Sequence, residues 1–160
     1  MVTDRLIAVD DPRKGDVRAL LERHLAFALS TTPPEHAFAL DVDGLLDPAV
    51  TFYSFRADGA LLGVGAIKQL DPRHGEIKSM HTAQAARGRG VGRAMLGRLL
   101  GVARSRGYVR VSLETGTMTE FAPARALYES AGFIACGPFA DYRPSEDNCF
   151  MMLPLEASAS

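Results

Sequence analysis

A segment rich in glycine and arginine, at the point where a helix is predicted to begin, constrains this chain more than any other feature. The stretch TAQAARGRGVGRAMLGRLL, residues 82–100, contains three glycines and three arginines at its helix-forming end: Arg87, Gly88, Arg89, Gly90, Gly92 and Arg93. Glycine is a poor helix former and neighbouring like charges repel, so the pattern weakens the helix it introduces. Glycines without Cβ atoms let the free amides of a helix N-terminus close on an anion, and arginines add charged donors. The segment therefore predicts a site for a phosphate or pyrophosphate; the alternative is a glycine-rich turn with solvated arginines.

Two familiar phosphate-binding loops fit this segment poorly. A Walker loop ends in Gly-Lys-Ser/Thr, whereas Arg93 follows Gly92 here. A dinucleotide fingerprint requires an initial βαβ unit, whereas this loop follows a predicted antiparallel meander in mid-chain. Glu114 lies at roughly the spacing of about 20 residues that the dinucleotide motif uses, so spacing alone does not exclude that motif.

Composition and charge favour a single globular domain with a small-molecule ligand. The chain has 160 residues, of which 47% are hydrophobic and 23% charged, and its formal net charge is −1. This balance gives no overall field that would attract nucleic acid or a membrane surface. No apolar run approaches the roughly 18 residues of a membrane span, and no signal peptide is evident, so we expect a cytoplasmic protein. The two cysteines, Cys136 and Cys149, form neither a disulfide framework nor a metal-ligand cluster, so no metal is expected.

The pattern of apolar residues predicts the element order β-α-β-β-β-α-β-α-β-β, an α/β domain with a mixed sheet. Residues 50–56 and 60–70 read as strands joined by a turn at Asp58-Gly59, and residues 76–82 as a third strand. The stretch EHAFALDVDGLLDP is ambiguous between a short helix and a loop with a strand. We expect one domain over residues 1–156 and a flexible tail over residues 157–160.

Two motifs resemble the GNAT (Gcn5-related N-acetyltransferase) superfamily. RGRGVG, residues 87–92, matches the family signature Q/R-x-x-G-x-G/A, and ARALYESAGF, residues 124–133, resembles its second motif, A-x-x-L-Y-x-x-x-G-F. The motifs have the family order and spacing, and in closer detail the chain resembles a bacterial subgroup of small-molecule enzymes. The resemblance implies a mixed, mostly antiparallel sheet of about six to seven strands, flanked by helices, in which two central strands splay apart.

The resemblance also implies acetyl-CoA as acyl donor and cosubstrate. Its pyrophosphate would lie on the amides of residues 87–92, which include Val91, with Arg93 nearby. Its pantetheine arm would pair with the strand around Met80, His81 and Thr82. A backbone N–H near Met80 or His81 would polarise the thioester carbonyl.

Acetyl transfer to an amine requires a base and an acid. An alkylamine with a pKa near 10.4 costs roughly 4.6 kcal/mol to neutralise at pH 7. A base, or a water chain leading to one, takes the amine proton, and an acid then protonates the leaving thiolate. Tyr128 matches the family position of that acid, since a phenol stays protonated at neutral pH and can donate. The alternative is a tyrosine that only packs between helix and sheet.

The base has more than one candidate. Glu76 matches a strand position that supplies the base in several branches of the family, whereas Glu114, on the adjacent strand, could be the base or a structural ion-pair partner. Regular alternation predicts that Glu76, Lys78, Met80 and Thr82 share one strand face, with Ile77, Ser79 and His81 on the other. His81 titrates in the right range but is more simply a packed residue.

The acceptor is predicted to be a small molecule, with an acidic or zwitterionic metabolite as the sharper hypothesis. Lys78 shares a strand face with Glu76, and a cation there suits an acceptor that also carries a carboxylate, with help from Arg125 and Arg143. The alternative is a Lys78 that pairs with Glu76 or Asp141 and points to solvent. Many family members carry asparagine where Phe121 stands, so that Phe121 is expected to shape an apolar acceptor pocket instead.

Two other functions are compatible with parts of the sequence. One is a non-catalytic module of the same fold that binds acyl-CoA, which thiol release would exclude. The other is a dinucleotide-dependent oxidoreductase, which NADH rather than acetyl-CoA would stabilise. The family resemblance also makes a homodimer a candidate assembly.

Overall fold

The structure, a computed structural model, describes residues 5–31, 42–117, 119–140, 142, 146 and 148–155. Its helices and strands follow the predicted order: β1 (Arg5–Val9), α1 (Gly15–Thr31), α2 (Val42–Leu45), β2 (Val50–Ala57), β3 (Ala60–Asp71), β4 (His74–Thr82), α3 (Val91–Ser105), β5 (Arg110–Gly116), α4 (Ala122–Ser130), β6 (Ile134–Cys136) and β7 (Asn148–Pro154). The ambiguous segment contains the short α2, and its residues 35–41 lie outside the described residues. The tail beyond residue 155 also lies outside them, so the domain boundary at residue 156 stays a prediction.

The seven strands form one mixed sheet in the order β1-β2-β3-β4-β5-β7-β6. All neighbouring pairs are antiparallel except β4 and β5. That parallel pair is short, because it joins only His74–Glu76 to Arg110–Ser112. Beyond Glu76 and Ser112 the two strands separate, which confirms the predicted sheet with a splayed central pair.

Successive side chains of each strand point to opposite faces of the sheet, so both faces carry apolar residues, and helices cover both. On one face, α1 packs Val17, Leu20 and Leu21 in a cluster with Val64 and Ala66 of β3. On the other face, α3 buries an apolar stripe in a cluster that includes Ile67 of β3. The stripe consists of Met95, Leu96, Leu99, Leu100 and Ala103. The turn between β2 and β3 falls at Asp58 and Gly59, as predicted, and both have positive φ.

The described part of the chain has no helix long and apolar enough to cross a membrane. Within the same residues, no group of three or more His, Cys, Asp and Glu side chains lies where it could hold a metal ion.

Candidate functional site

The glycine-rich segment forms the turn into α3. Gly88 and Gly90 have φ values of +77° and +78°, in the left-handed region that glycine enters without strain. Gly90 is the N-cap of α3. In the described part of the chain, no side chain caps this helix and no atom lies within 4 Å of where a Cβ would stand at either glycine. The first-turn amides of this 15-residue helix are therefore open to a ligand from solvent.

Positive charge surrounds this open helix end. Arg87, Arg89 and Arg93 are exposed, and none forms an ion pair with another described residue. The first turn of α3 contains no acidic residue. Val91 is buried and anchors the turn, so the helix amides are held in place beside three arginines, an arrangement that suits an anion.

A β-bulge in β4 changes which side chains share a face. Val64 of β3 pairs with His81 and Ala66 pairs with Lys78, so two residues of β4, Ser79 and Met80, oppose one residue of β3. Ser79 has a φ of +55°. The bulge inserts one residue, and the alternation shifts by one position after it.

The prediction that Glu76, Lys78, Met80 and Thr82 share one strand face is therefore wrong for Met80 and Thr82. The Met80 sulfur would lie 3.0 Å from a Cβ at Gly65, on the side that packs against α3. Thr82 lies on the same side, with its hydroxyl 3.8 Å from the position of a Cβ at Gly92. His81 instead shares a face with Lys78, since its partner Val64 alternates with Gly65.

A buried polar triad lies on the other face of β4, next to the point where β4 and β5 separate. The Glu76 side chain is only 3% exposed, and its Oε2 accepts hydrogen bonds from Lys78 Nζ at 3.0 Å and from Tyr142 OH at 2.5 Å. Lys78 Nζ also donates to Tyr142 OH at 2.8 Å. Lys78 thus pairs with Glu76, one of the two predicted alternatives, but at 10% exposure its side chain does not point to solvent. Asp141 and Arg143 lie outside the described residues.

Tyr142 is a site residue that the sequence pattern does not predict. It lies in the segment between β6 and β7, which has no regular apolar spacing that could have placed it. Its ring packs against Phe139 and Phe150 at centroid distances of 5.1 and 5.7 Å, so aromatic contacts hold it over the sheet. Burial and the charge of Glu76 raise the pKa of Tyr142 above its usual value, so its phenol stays a hydrogen-bond donor.

His74 and Ser112 close the bottom of the gap between the strands. Both are buried, and His74 Nε2 lies 2.6 Å from Ser112 Oγ. Burial, followed by the charge of Arg110, lowers the pKa of His74. His74 is therefore a core residue that ties β4 to β5.

Glu114 lies on β5 two residues beyond Ser112, the last residue that pairs with β4, and on the same strand face. Among the described residues no donor forms a hydrogen bond or ion pair with its carboxylate, although Lys78 and Glu76 are near enough to act on it electrostatically. Burial raises the pKa of Glu114 to about 7; the charge of Lys78 lowers it and that of Glu76 raises it. Glu114 can therefore exchange a proton near neutral pH.

Tyr128 lies on α4 and is buried in the core cluster, with its ring 5.7 Å from that of Phe133. Burial, and to a lesser extent the charge of Glu114, raises its pKa above the usual value for a phenol. The group therefore stays protonated and is available as a donor. Glu114 of β5 is near enough to act on Tyr128 electrostatically.

Phe121 and Arg125 both contact Gly116, at the end of β5. A Cβ at Gly116 would lie 2.8 Å from Cγ of Phe121, so the phenyl ring needs a glycine there. Arg125 Nη1 donates to the Gly116 carbonyl oxygen at 2.6 Å. Both side chains are half-buried.

Known proteins resemble this chain over nearly its whole length. The model of the acetyltransferase (GNAT) family matches residues 17–133. The chain is 45% identical to "Uncharacterized N-acetyltransferase YsnE" of Bacillus subtilis (strain 168), over 93% of this chain and 99% of that protein.

Two solved structures have a similar fold. One, described as an acyl-CoA N-acyltransferase, comes from Klebsiella pneumoniae; it is 28% identical and superposes with a TM-score of 0.79 over 95% of this chain and 98% of that one. The other, a GNAT family acetyltransferase from Elizabethkingia anophelis with acetyl-CoA bound, is 16% identical and has a TM-score of 0.69 over 94% and 98% of the two chains.

Proposed function

We propose, from the premise that this chain belongs to the acetyltransferase (GNAT) family, that it moves an acetyl group from acetyl-CoA directly to the amine of a small molecule while both substrates are bound. The family match over residues 17–133 covers most of the chain. The observation that carries the proposal is the separation of β4 and β5 beyond Glu76 and Ser112. It opens the sheet between the cationic end of α3 and a cluster of ionisable side chains.

The turn into α3 would hold the pyrophosphate of acetyl-CoA. The left-handed glycines leave the amides of residues 87–92 uncovered, and a Cβ at Gly90 would extend into the space that the ligand needs. Arg93 and its neighbours would add charged donors. When bound, acetyl-CoA supplies the activated thioester that the amine attacks.

The bulge in β4 supports a role for its last residues in binding the donor. The bulge interrupts the β3–β4 ladder between Val64 and Ala66, and β5 no longer pairs with β4 at this level. The edge of this segment that faces β5 would therefore pair with the pantetheine arm, around Met80, His81 and Thr82. An N–H near Met80 or His81 would stabilise negative charge on the carbonyl oxygen.

We assign the general base to Glu114 in preference to Glu76. Glu76 is committed to Lys78 and Tyr142, whereas no described residue donates to the Glu114 carboxylate. A base is most effective when its pKa lies near the working pH, and that of Glu114 is about 7. Glu114, directly or through a water, would take the amine proton, and Tyr128 would give a proton to the departing thiolate.

The acceptor would be recognised chiefly through its amine. The hypothesis of an acidic or zwitterionic acceptor depended on an uncompensated Lys78, but Glu76 balances that charge. With Glu114 ionised, the cluster of Glu76, Lys78 and Glu114 has a formal charge of about −1, which favours a cationic amine over an anion. A homodimer stays a prediction.

A screen of thiol release from acetyl-CoA tests this function. Amines, amino acids and small carboxylic acids are offered separately, and the acetylated product is identified by mass spectrometry. We expect release only with primary amines, and strong impairment in Glu114→Gln and Tyr128→Phe. Binding of acetyl-CoA without release for any acceptor would instead identify a non-catalytic module of the same fold.

A further inference from the structure

Lys78 and Glu114 occupy corresponding positions on the two strands that separate. Glu76 and Ser112 are the last paired residues, and Lys78 and Glu114 each lie two residues further along, on the same face. They are therefore the first side chains on either side of the gap. Although their charges are opposite, they form no ion pair with each other, because the ammonium of Lys78 is bound elsewhere.

Two hydrogen bonds hold the Lys78 ammonium in place. Its Nζ lies 3.0 Å from Glu76 Oε2 and 2.8 Å from Tyr142 OH, and the phenol completes a closed triangle by donating to the same carboxylate oxygen. A buried ion pair of this kind adds little net stability, because desolvation offsets the attraction. Its place at the opening of the sheet points to a role in the reaction.

We propose that Lys78, anchored by Glu76 and Tyr142, is a positioning residue that sets how readily Glu114 takes a proton from the acceptor amine. The inference rests on the proposed function, in which Glu114 is the base. The anchor has two effects. It keeps a positive charge near the Glu114 carboxylate, and it prevents Lys78 from pairing with that carboxylate and blocking it.

The groups around Glu114 in the described structure have opposing effects. Glu76 on β4 disfavours its ionised form, as does burial, whereas Lys78 favours that form. Tyr128 on α4, Tyr142 before β7 and Cys149 on β7 also interact with it, and all three have raised pKa values, so they are uncharged near neutral pH. Among these groups, Lys78 is the cation that favours the ionised form of Glu114.

The test is the pH dependence of kcat/KM for Lys78→Met and Lys78→Gln, with acetyl-CoA and the best amine from the screen. The wild-type rate rises as Glu114 loses its proton, around pH 7. Loss of the positive charge should move this rise to higher pH by about one unit. Relative to wild type, kcat/KM should then be about tenfold lower at pH values below the rise and equal at pH values above it. Lys78→Gln removes the charge but keeps a hydrogen-bond donor for Glu76 and Tyr142. It therefore separates the effect of the lost charge on kcat/KM from an effect of impaired folding.

Two controls accompany these variants. Lys78→Arg keeps the charge and should keep the rise near its wild-type position. Lys68 lies opposite Glu76 on β3, one strand further from Glu114, and Lys68→Met should leave the rise unmoved.

If kcat/KM rises at the wild-type pH in both Lys78→Met and Lys78→Gln while Glu114→Gln is impaired, this inference is overturned and the proposed function stays intact. A raised acceptor KM at every pH without a moved rise shows that Lys78 binds the acceptor instead. A fully active Glu114→Gln overturns the base assignment and this inference with it.

Discussion

The hydroxyl of Tyr142 donates a hydrogen bond of 2.5 Å to Oε2 of Glu76, which lies 66 residues earlier in the chain. This bond joins the segment before β7 to the centre of the sheet. It also occupies the carboxylate of Glu76, the more deeply buried of the two candidate bases. Glu114, two residues beyond the part of β5 that pairs with β4, is left with a carboxylate to which no described residue donates. The assignment of roles within the site follows from this difference.

The stability of the protein should depend on pH through Glu114. Its pKa in the folded protein is about 7 against an ordinary value of 4.5, so the folded state binds more protons than the unfolded state between those values. The free energy of unfolding should therefore fall as pH rises from about 4.5 to about 7, by about 3 kcal/mol at most. Glu114→Gln should remove this loss and be more stable than wild type at alkaline pH, as urea unfolding would show.

Glu129→Gln is the matched control for that experiment, because Glu129 is exposed on α4. It should follow the wild-type dependence on pH. If Glu114→Gln gains no stability relative to wild type between pH 5 and pH 8, the Glu114 carboxylate is solvated and its pKa is not raised. The argument for Glu114 as the general base would then fail.

Replacing Tyr128 with phenylalanine should slow the chemical step without weakening donor binding. The ring remains in the core while the proton donor is lost, so kcat should fall by roughly 10²–10⁴. Calorimetry should give an unchanged Kd for acetyl-CoA. Tyr108→Phe is the control, because Tyr108 is also buried. Its hydroxyl donates to Gln69 Oε1 over 2.9 Å, at a place outside the gap. Equal rates for the two variants would limit Tyr128 to packing.

Gly90→Val should reduce the affinity for acetyl-CoA at least tenfold, about 1.4 kcal/mol, because the side chain blocks the amides of α3. Since Gly90 has a φ of +78°, valine also strains the backbone there, and the melting temperature should fall. Gly107, with a φ of +80° at the other end of α3, provides the control. Gly107→Val should lower the melting temperature similarly and leave the affinity unchanged, whereas equal affinities for the two variants would contradict a pyrophosphate site.

Arg93→Ala should weaken acetyl-CoA binding about tenfold or more, since a hydrogen bond to a charged group contributes roughly 1.5–3 kcal/mol. The loss should shrink at high salt, because Arg93 is exposed. Arg98, exposed in the middle of the same helix, is the matched control, and Arg98→Ala should bind like wild type. Identical affinities for both variants would remove Arg93 from the site.

Local chemistry made most of the fold predictable from the sequence. The Asp58-Gly59 turn and the order of helices and strands each depend on neighbouring residues, and each appears in the structure. The glycines at 88 and 90 were singled out because they weaken a helix, and their positive φ values give the reason for them. The two family motifs then indicated the splayed strands.

The parts that alternation and spacing missed depend on contacts between distant residues. The bulge at Ser79 arises where β4 pairs with β3, and nothing in the sequence of β4 marks the extra residue that moves Met80 and Thr82 to the other face. The contact of Tyr142 with Glu76 and Lys78 depends on how the segment after β6 folds back. Sequence alone could name Glu76 and Glu114 as candidate bases, but only these contacts distinguish them.

The most direct test of acetyl transfer compares, in one reaction, the coenzyme A thiol released with the acetylated amine formed. The account predicts equal amounts of the two products, release that depends on the amine, and a rate that rises around pH 7 as Glu114 ionises. Thiol release without acetylated amine, or no release with any amine under conditions where acetyl-CoA binds, would contradict it.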